Sequence, residues 1–348
     1  MPVTGFFKKW FGRRSTVAPT PSIRSAPNYV RRPQLMADAA APEAIGMWTP
    51  RDDAFWPSQM ARAIKHLRND WSTYPERGRW PDASELLTLL SAAPEQVIRQ
   101  LPAAAREAIA LCDNPTLSRA QLANKLGTDP SLVQALLKQA NGAFYASGLQ
   151  SVLRVEDAID RIGIAATRAI VLASCVDGLL SKPGAPYDVM LSAVWTHMVN
   201  TGHLARIIAP SMGADAEEAF AIALLHDVGK LVIFDTISAL RASKRGAVAL
   251  PETWLAGLIQ HLHEPLGAAS VQSWGLGPRA ADAIGCHHRR ENRTQQHPLA
   301  ETLFVAERAE HAIRKNERLD FEGVWSLGQI WGDRSDAQAA LFRRVKAA

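Results

Sequence analysis

Apolar positions recur at helical intervals along most of the chain, and no stretch shows the apolar–polar alternation of a half-buried strand. Over residues 58–72, Met60, Ile64, Leu67 and Trp71 fall on one helical stripe. Asp82 with Glu85 has the spacing of a capping box that would open the run ELLTLL. Ser118 with Gln121 repeats that signature. Gly127 is placed to end the helix they open, and Asp129-Pro130 to start another carrying Leu132, Val133, Leu136 and Leu137. Asn141 reads as a turn-forming cap with a structural role. After a break over 142–151, Ala158, Ile159 and Ile162 predict a helix that Gly163 interrupts, and a strongly apolar helix runs through 170–176.

The segment SKPGAPYD, residues 181–188, reads as an internal linker because of its two prolines and one glycine. A second helical unit starts near Val189. Asp215 with Glu218 caps a helix predicted to run through 220–225 into His226-Asp227 and to stop at Gly229. A last helix follows Ser335, with Gln338 completing its cap and Arg343, Arg344 and Lys346 suiting its C-terminus. The pattern predicts an all-α fold, a multi-helix bundle without internal repeats.

Composition changes this picture mainly at the N-terminus. With 348 residues, 47% hydrophobic and 21% charged, the chain suits a soluble globular protein with a sizeable core. No run approaches the roughly 18 apolar residues that span a bilayer. The aromatics Phe6, Phe7, Trp10 and Phe11 are broken by Lys8 and Lys9, which argues against a secretory leader. Cys112, Cys175 and Cys286 are too few and too scattered for a disulfide framework, which suits a reduced cytoplasm. The net charge is +5, and Lys8, Lys9, Arg13, Arg14, Arg24, Arg31 and Arg32 all precede the first acid, Asp38. Residues 1–40 therefore read as a disordered basic arm. Its segment GFFKKWFGRR, residues 5–14, is either a solvated tail or a weak contact for an anionic membrane surface. Trp48, Trp56, Trp71 and Trp80, set among prolines, predict a folded helical extension over 41–92.

The chemistry concentrates in LLHDVGKL, residues 224–231. His226 and Asp227 project about 100° apart on a helix, yet at its last turn both can reach one cavity. They are either a hydrogen-bonded structural pair or ligands for a cation such as Zn, Fe or Mn. His197 lies on the preceding helix, His263 in HLHEPLG, His287 and His288 in AIGCHHRR, and Glu307 in ETLFVAERAE. Burying five histidines and two acids unpaired is costly, and a mononuclear or dinuclear site inside a helical bundle would satisfy most of them together. His66, His203, His261, His297 and His311 have no such setting and read as surface or solvating residues.

With WTHMV around His197, HDVGK from His226, HEPLG from His263 and the pair His287-His288, the chain resembles the HDOD family. This is the HD-related output domain of bacterial signalling proteins, within the HD superfamily of metal-dependent phosphohydrolases. LPAAAREAIAL, TDPSLVQALLKQANGAFYA and VEDAIDRIGIAATRAIVLA are similar to the family's N-terminal half, in the same order. The resemblance runs over 93–314, with 93–180 as an N-terminal helical half and 189–314 as an HD-like half. It leaves the arm, the extension and a helical tail over 315–348 outside.

The resemblance implies metal binding by His197, His226, Asp227, His263, His287 and His288, with Fe, Mn or Zn as the cation. Catalytic relatives use such a cation to activate water against a phosphodiester, and Lys230 would sit beside the phosphate. Two departures stand out. Glu307 occupies the place of the last metal-binding Asp, one methylene longer. After His288 the segment RRENRTQQHP offers Arg289, Arg290 and Arg293 where cyclic-di-GMP phosphodiesterases carry a Gly-Tyr-Pro element.

The resemblance therefore implies a cytoplasmic signalling or regulatory protein. It would bind a metal or nucleotide effector and act through signalling protein partners, with binding favoured over turnover. One alternative is an active phosphohydrolase on a nucleotide or cyclic dinucleotide. Another is a DNA-binding regulator, because TLSRAQLANKLGTDPSLVQALLKQAN has the outline of a helix-turn-helix. Its second helix begins with Ser131, Leu132 and Val133, which cannot read bases as Arg or Asn would, so no specific nucleic-acid partner is expected. No Gly-rich phosphate loop is present, and Ser174 and Cys175 have no base nearby in sequence.

Overall fold

The helical stripe over Met60–Trp71 folds as expected and opens the architecture. The computed structural model describes residues 49–347 apart from 76, 93, 99–100, 102, 113, 115, 117, 147–149, 181–187, 245–247, 289–296, 329, 331–332 and 345. The basic arm, its 5–14 segment, most of the 181–188 linker and Arg289, Arg290 and Arg293 lie outside the described residues. Helix α1 (Phe55–Thr73) buries Trp56 together with the four expected positions.

A 3-10 turn, Arg77–Arg79, leads to α2 (Pro81–Leu90). The capping box expected from Asp82 and Glu85 does not form: Trp80 holds the N-cap position, with no side-chain cap. Asp82 is buried instead. Its carboxylate pairs with the Lys244 ammonium and accepts the Ala249 N–H at 2.7 Å. A distant cation and amide win over the local backbone because the carboxylate points into the body of the protein.

Next come α3 (Pro94–Val97), α4 (Ala103–Cys112) and α5 (Arg119–Leu126). The Ser118–Gln121 capping box forms in full, and Gly127 ends α5. Asp129 caps α6 (Pro130–Ala140) by accepting from Ser131 and Leu132. Asn141 clasps Val152, donating to its carbonyl at 2.9 Å and accepting its N–H at 2.8 Å, across the turn that holds α7 (Ala143–Ala146). Its role is structural. Helix α8 (Val155–Ile162) ends at Gly163, whose φ of 83° is the left-handed conformation that favours glycine, and α9 (Ile164–Leu180) follows. Leu132, Leu136 and Ala140 of α6 are buried, and α6 packs on α8 and α9. The apolar face of the helix-turn-helix-like pair is thus turned to the core.

The second half comprises α10 (Asp188–Ile208), a 3-10 turn at Ala209–Met212, α11 (Ala216–Leu225), α12 (Val228–Lys244), α13 (Glu252–Ser273), α14 (Pro278–Gly285) and α15 (Pro298–Lys315). Asp215 caps α11 by accepting from Glu217 and Glu218. Gly229 is not the stop the sequence suggested. Helix α11 ends at Leu225, His226 and Asp227 form the turn, and Gly229 lies in the first turn of α12. The reason is a close helix crossing: a Cβ on Gly229 would lie 2.0 Å from the His263 carbonyl oxygen and 2.8 Å from the Gly267 nitrogen.

The tail adds β1 (Arg318–Leu319), α16 (Phe321–Gly328), α17 (Ser335–Phe342) and β2 (Lys346–Ala347). The expected cap from Gln338 is absent, since Arg334 holds the N-cap position of α17 without a side-chain bond. The two strands pair in parallel over two residues, Arg318 with Lys346 and Leu319 with Ala347, and the fold class stays all-α. One continuous hydrophobic cluster runs from Trp56 to Leu341. Among the described residues, no helix is long and apolar enough to cross a membrane.

Candidate metal centre

Six segments deliver polar groups to one buried point. Helix α10 supplies His197, the α11–α12 turn His226 and Asp227, α12 Lys230, α13 His263, the strap after α14 His287 and His288, and α15 Glu307. The structure brings all of these sequence-derived candidates together. The side chains of His226, Asp227 and His287 are fully buried, whereas His288 is 34% exposed and Glu307 13%. The centre therefore opens to solvent on the side of His288, Glu307 and Lys230.

Asp227 is the hub. Its Oδ2 lies 3.5 Å from His226 Nε2 and 3.7 Å from His197 Nε2, and it accepts from Lys230 Nζ at 2.6 Å. Its Oδ1 lies 3.9 Å from the Nε2 atoms of both His263 and His287. Glu307 Oε1 is 3.3 Å from His288 Nε2. Three triplets have ligand atoms within 4.8 Å of one another: His197, His226 and Asp227; His263, His287 and His288; and His226, His287 and Glu307.

The backbone fixes how the imidazoles present themselves. The Nδ1 atoms of His226, His263 and His287 lie 2.7, 2.8 and 2.5 Å from the carbonyls of Ala223, Ile259 and Ile284. A carbonyl only accepts, so Nδ1 carries the proton and Nε2 is a bare lone pair aimed inward. His197 Nδ1 donates to Glu310 Oε2 at 2.7 Å, which gives that ring the same tautomer. As a result the Nε2 atoms of His197 and His226 face one another at 3.2 Å. Two bare lone pairs at that distance need either a shared proton or a cation. Asp227 Oδ1, His263 Nε2, His287 Nε2 and Glu307 Oε2 are buried without a hydrogen-bond partner. Such groups cost about 1–3 kcal/mol each when nothing satisfies them. Imidazole nitrogens with ionised carboxylates suit Zn, Fe or Mn, so the residues present fit a divalent transition metal.

Electrostatics puts these groups in the states a cation needs. Burial pushes the pKa of His226 down and that of His263 and His287 well down, reinforced by Lys230 at His263 and by His288 at His287. Burial drives Asp227 upward, but the Lys230 ammonium beside it outweighs this and holds the carboxyl well below the usual range. At Glu307 burial is likewise outweighed, first of all by His288. Near neutral pH the three buried rings are neutral and both carboxylates ionised, which is the ligand form.

Two functional neighbours escape sequence reasoning. Glu310, one turn beyond Glu307 on α15, orients His197 and is itself held by Arg314 Nε at 3.2 Å. Glu264 is buried beside His263 and accepts the His288 backbone N–H at 2.7 Å, anchoring the strap. The only available signal was spacing, three residues from Glu307 and adjacency to His263. Among the histidines read as peripheral, His297 is a correction. It is 2% exposed, accepts the Ala300 N–H as the N-cap of α15, and donates to the Arg279 carbonyl at 3.2 Å. His203 packs on Phe220 with ring centroids 5.4 Å apart, and His66 meets His261 edge to face, outside the centre.

The model of the HDOD domain family matches residues 98–290. No curated protein matches the chain. Among solved structures, the chain is similar to a candidate phosphohydrolase from Shewanella amazonensis SB2B at 25% identity and TM-score 0.56, covering 74% of this chain and 93% of that one. A candidate metal-dependent phosphohydrolase from the same organism aligns at 15% identity and TM-score 0.55, over 82% and 99% of the two chains. An HDOD domain protein of unknown function from Geobacter sulfurreducens aligns at 18% identity and TM-score 0.49, over 72% and 85%.

Proposed function

The chain belongs to the HDOD domain family, and from that premise we propose that it is a bacterial signal-transduction regulator whose buried pocket binds a divalent transition metal and a phosphorylated nucleotide effector. The observation that carries this reading is the set of four inward-facing Nε2 atoms, each fixed by a bond at its Nδ1, around the buried Asp227 carboxylate. In this reading His197, His226 and Asp227 would hold one cation. His263, His287 and His288, with Asp227, would hold a second, and Glu307 would be within reach. Glu307 departs from the Asp of catalytic relatives, yet its carboxylate stays within ligand reach of His226 and His287, so the longer side chain keeps the donor in place.

A bound cation would supply Lewis-acid charge to phosphoryl oxygens. The chain's own contribution is orientation and charge. Lys230, held on Asp227, and His288 stand at the open side, where they favour an anionic ligand. The effector state would pass to signalling protein partners in the cytoplasm. A second reading, hydrolysis of a nucleotide or cyclic dinucleotide, is favoured by one observation, the near-complete ligand set gathered around Asp227, while Glu307 in place of an Asp counts against it.

Elemental analysis of the untagged protein, followed by nucleotide binding and turnover assays with Mn or Fe, tests both. We expect about one or two transition-metal ions per chain, lost in His226→Ala, and nucleotide retained unchanged. Turnover that disappears in His226→Ala would establish the second reading, and a metal-free protein that binds no nucleotide would refute the first.

A further inference from the structure

We propose that the N-terminal extension, which lies outside the matched family domain, sets the pose of the His287-His288 strap through Arg51, Trp56 and Asp282. It thereby tunes one half of the pocket, and this last step rests on the metal reading above. The contact begins at Asp282 on α14, which is buried at 2% exposure. Its Oδ1 accepts the Trp56 indole N–H at 2.9 Å and lies 3.4 Å from Arg51 Nε. Arg51 stacks over the Phe55 ring at 4.2 Å and reaches the Cys286 sulfur at 3.9 Å. A rigid ring held by a charge-assisted bond is a stiff contact.

The contact lies directly behind the metal-facing residues. The indole occupies the space a side chain would take at Gly285, where a Cβ would come within 2.0 Å of the ring. The Asp282 carbonyl accepts the Cys286 N–H at 3.1 Å, closing α14. Two residues on, the Ile284 carbonyl accepts the His287 Nδ1–H that aims this ring inward. A shift of Trp56 therefore moves the end of α14 and, with it, the donor atoms of His287 and His288. Gln272 Nε2 adds a tie from α13, the helix of His263, to Asp53 Oδ1 at 3.0 Å. The extension therefore grips the half of the pocket built from His263, His287 and His288. His197, His226 and Asp227 stand on α10 and the α11–α12 turn, and are set by other bonds.

The test uses the full chain with Trp56→Phe, which keeps an aromatic ring but loses the N–H donor and the outer indole ring that lies against Gly285, and Asp282→Asn. Trp71→Phe is the control, because Trp71 lies on the same helix but gives its indole N–H to Ser84 of α2 at 2.7 Å and not to α14. Cobalt(II) is titrated and followed by its visible spectrum. The first two variants should weaken the second cobalt ion about tenfold and leave the first unchanged, while Trp71→Phe changes neither. In metal-free samples, long-range nitrogen–proton spectra of the imidazoles should show His287 and His288 shifted in Trp56→Phe and His197 unmoved. Folded variants with wild-type cobalt binding and unshifted His287 and His288 signals would overturn the proposal. Wild-type protein that takes up no cobalt would remove the metal reading alone, since the imidazole spectra still decide whether the extension sets the strap.

Discussion

Adding a divalent transition metal to the metal-free protein should raise its thermal midpoint, and the size of the rise follows from the pocket. Four buried atoms there, Asp227 Oδ1, His263 Nε2, His287 Nε2 and Glu307 Oε2, have no hydrogen-bond partner. At about 1–3 kcal/mol each, they hold a reserve of several kcal/mol that a cation can release. The facing lone pairs of His197 and His226, 3.2 Å apart, add to it. Free ion at about one hundred times Kd stabilises the native state by about 2.7 kcal/mol. For 348 residues the unfolding entropy is about 0.7 kcal/mol/K, so the midpoint should move by about 4 °C. The assay is a thermal melt of chelator-stripped protein with Mn, Fe(II) or Zn added, run beside His226→Ala. Only that variant's response to metal matters, whatever its own midpoint: it should lose most of the shift. An unchanged wild-type midpoint with all three ions would refute the reasoning. An equal shift in the variant would place the ion elsewhere, for example on exposed His66 and its half-buried neighbour His261.

Glu310→Gln weakens the charge behind His197 and should lower metal affinity about tenfold or more in a chelator competition; unchanged affinity would show that the Glu310–His197 bond does not tune the ligand. Gly229→Ala forces a methyl to within 2.0 Å of a backbone oxygen, so urea unfolding should show a loss of about 3 kcal/mol, and a loss below about 1 kcal/mol would mean that α12 and α13 separate freely. The metal-free protein should lose stability as pH falls below about 6.5, because the unfolded chain then takes up protons that buried His226, His263 and His287 refuse. Their folded pKa values are depressed, so the contribution is whole above the unfolded value and disappears as pH falls through the folded ones. Urea midpoints at pH 7.5 and 5.5 check this, and equal values would contradict the burial argument.

The features legible in the sequence share one property: their cause lies within a few residues. The Met60–Trp71 stripe, the Ser118–Gln121 box and the Asp129-Pro130 start are local patterns, and each appears in the fold. Asp82 with Glu85 carries the same local spacing but fails, because Lys244, 162 residues away, takes the carboxylate. Gly229 fails for the same kind of reason, since its missing side chain serves a crossing helix and not a stop. The centre divides along this line. Its donors were visible because histidines inside apolar runs are unusual, and their residue type alone suggests chemistry. The groups that aim them were not. Glu310, Glu264 and Asp282 are acids on amphipathic helices, where a carboxylate ordinarily faces water. Only the fold reveals that Glu310 turns to His197, Glu264 to the His288 amide and Asp282 to Trp56. Donor identity is thus a property of composition, whereas donor orientation is a property of packing. Orientation distinguishes a pocket that holds an ion from one whose histidines only bond to each other, so the variants that decide the function are those behind the ligands.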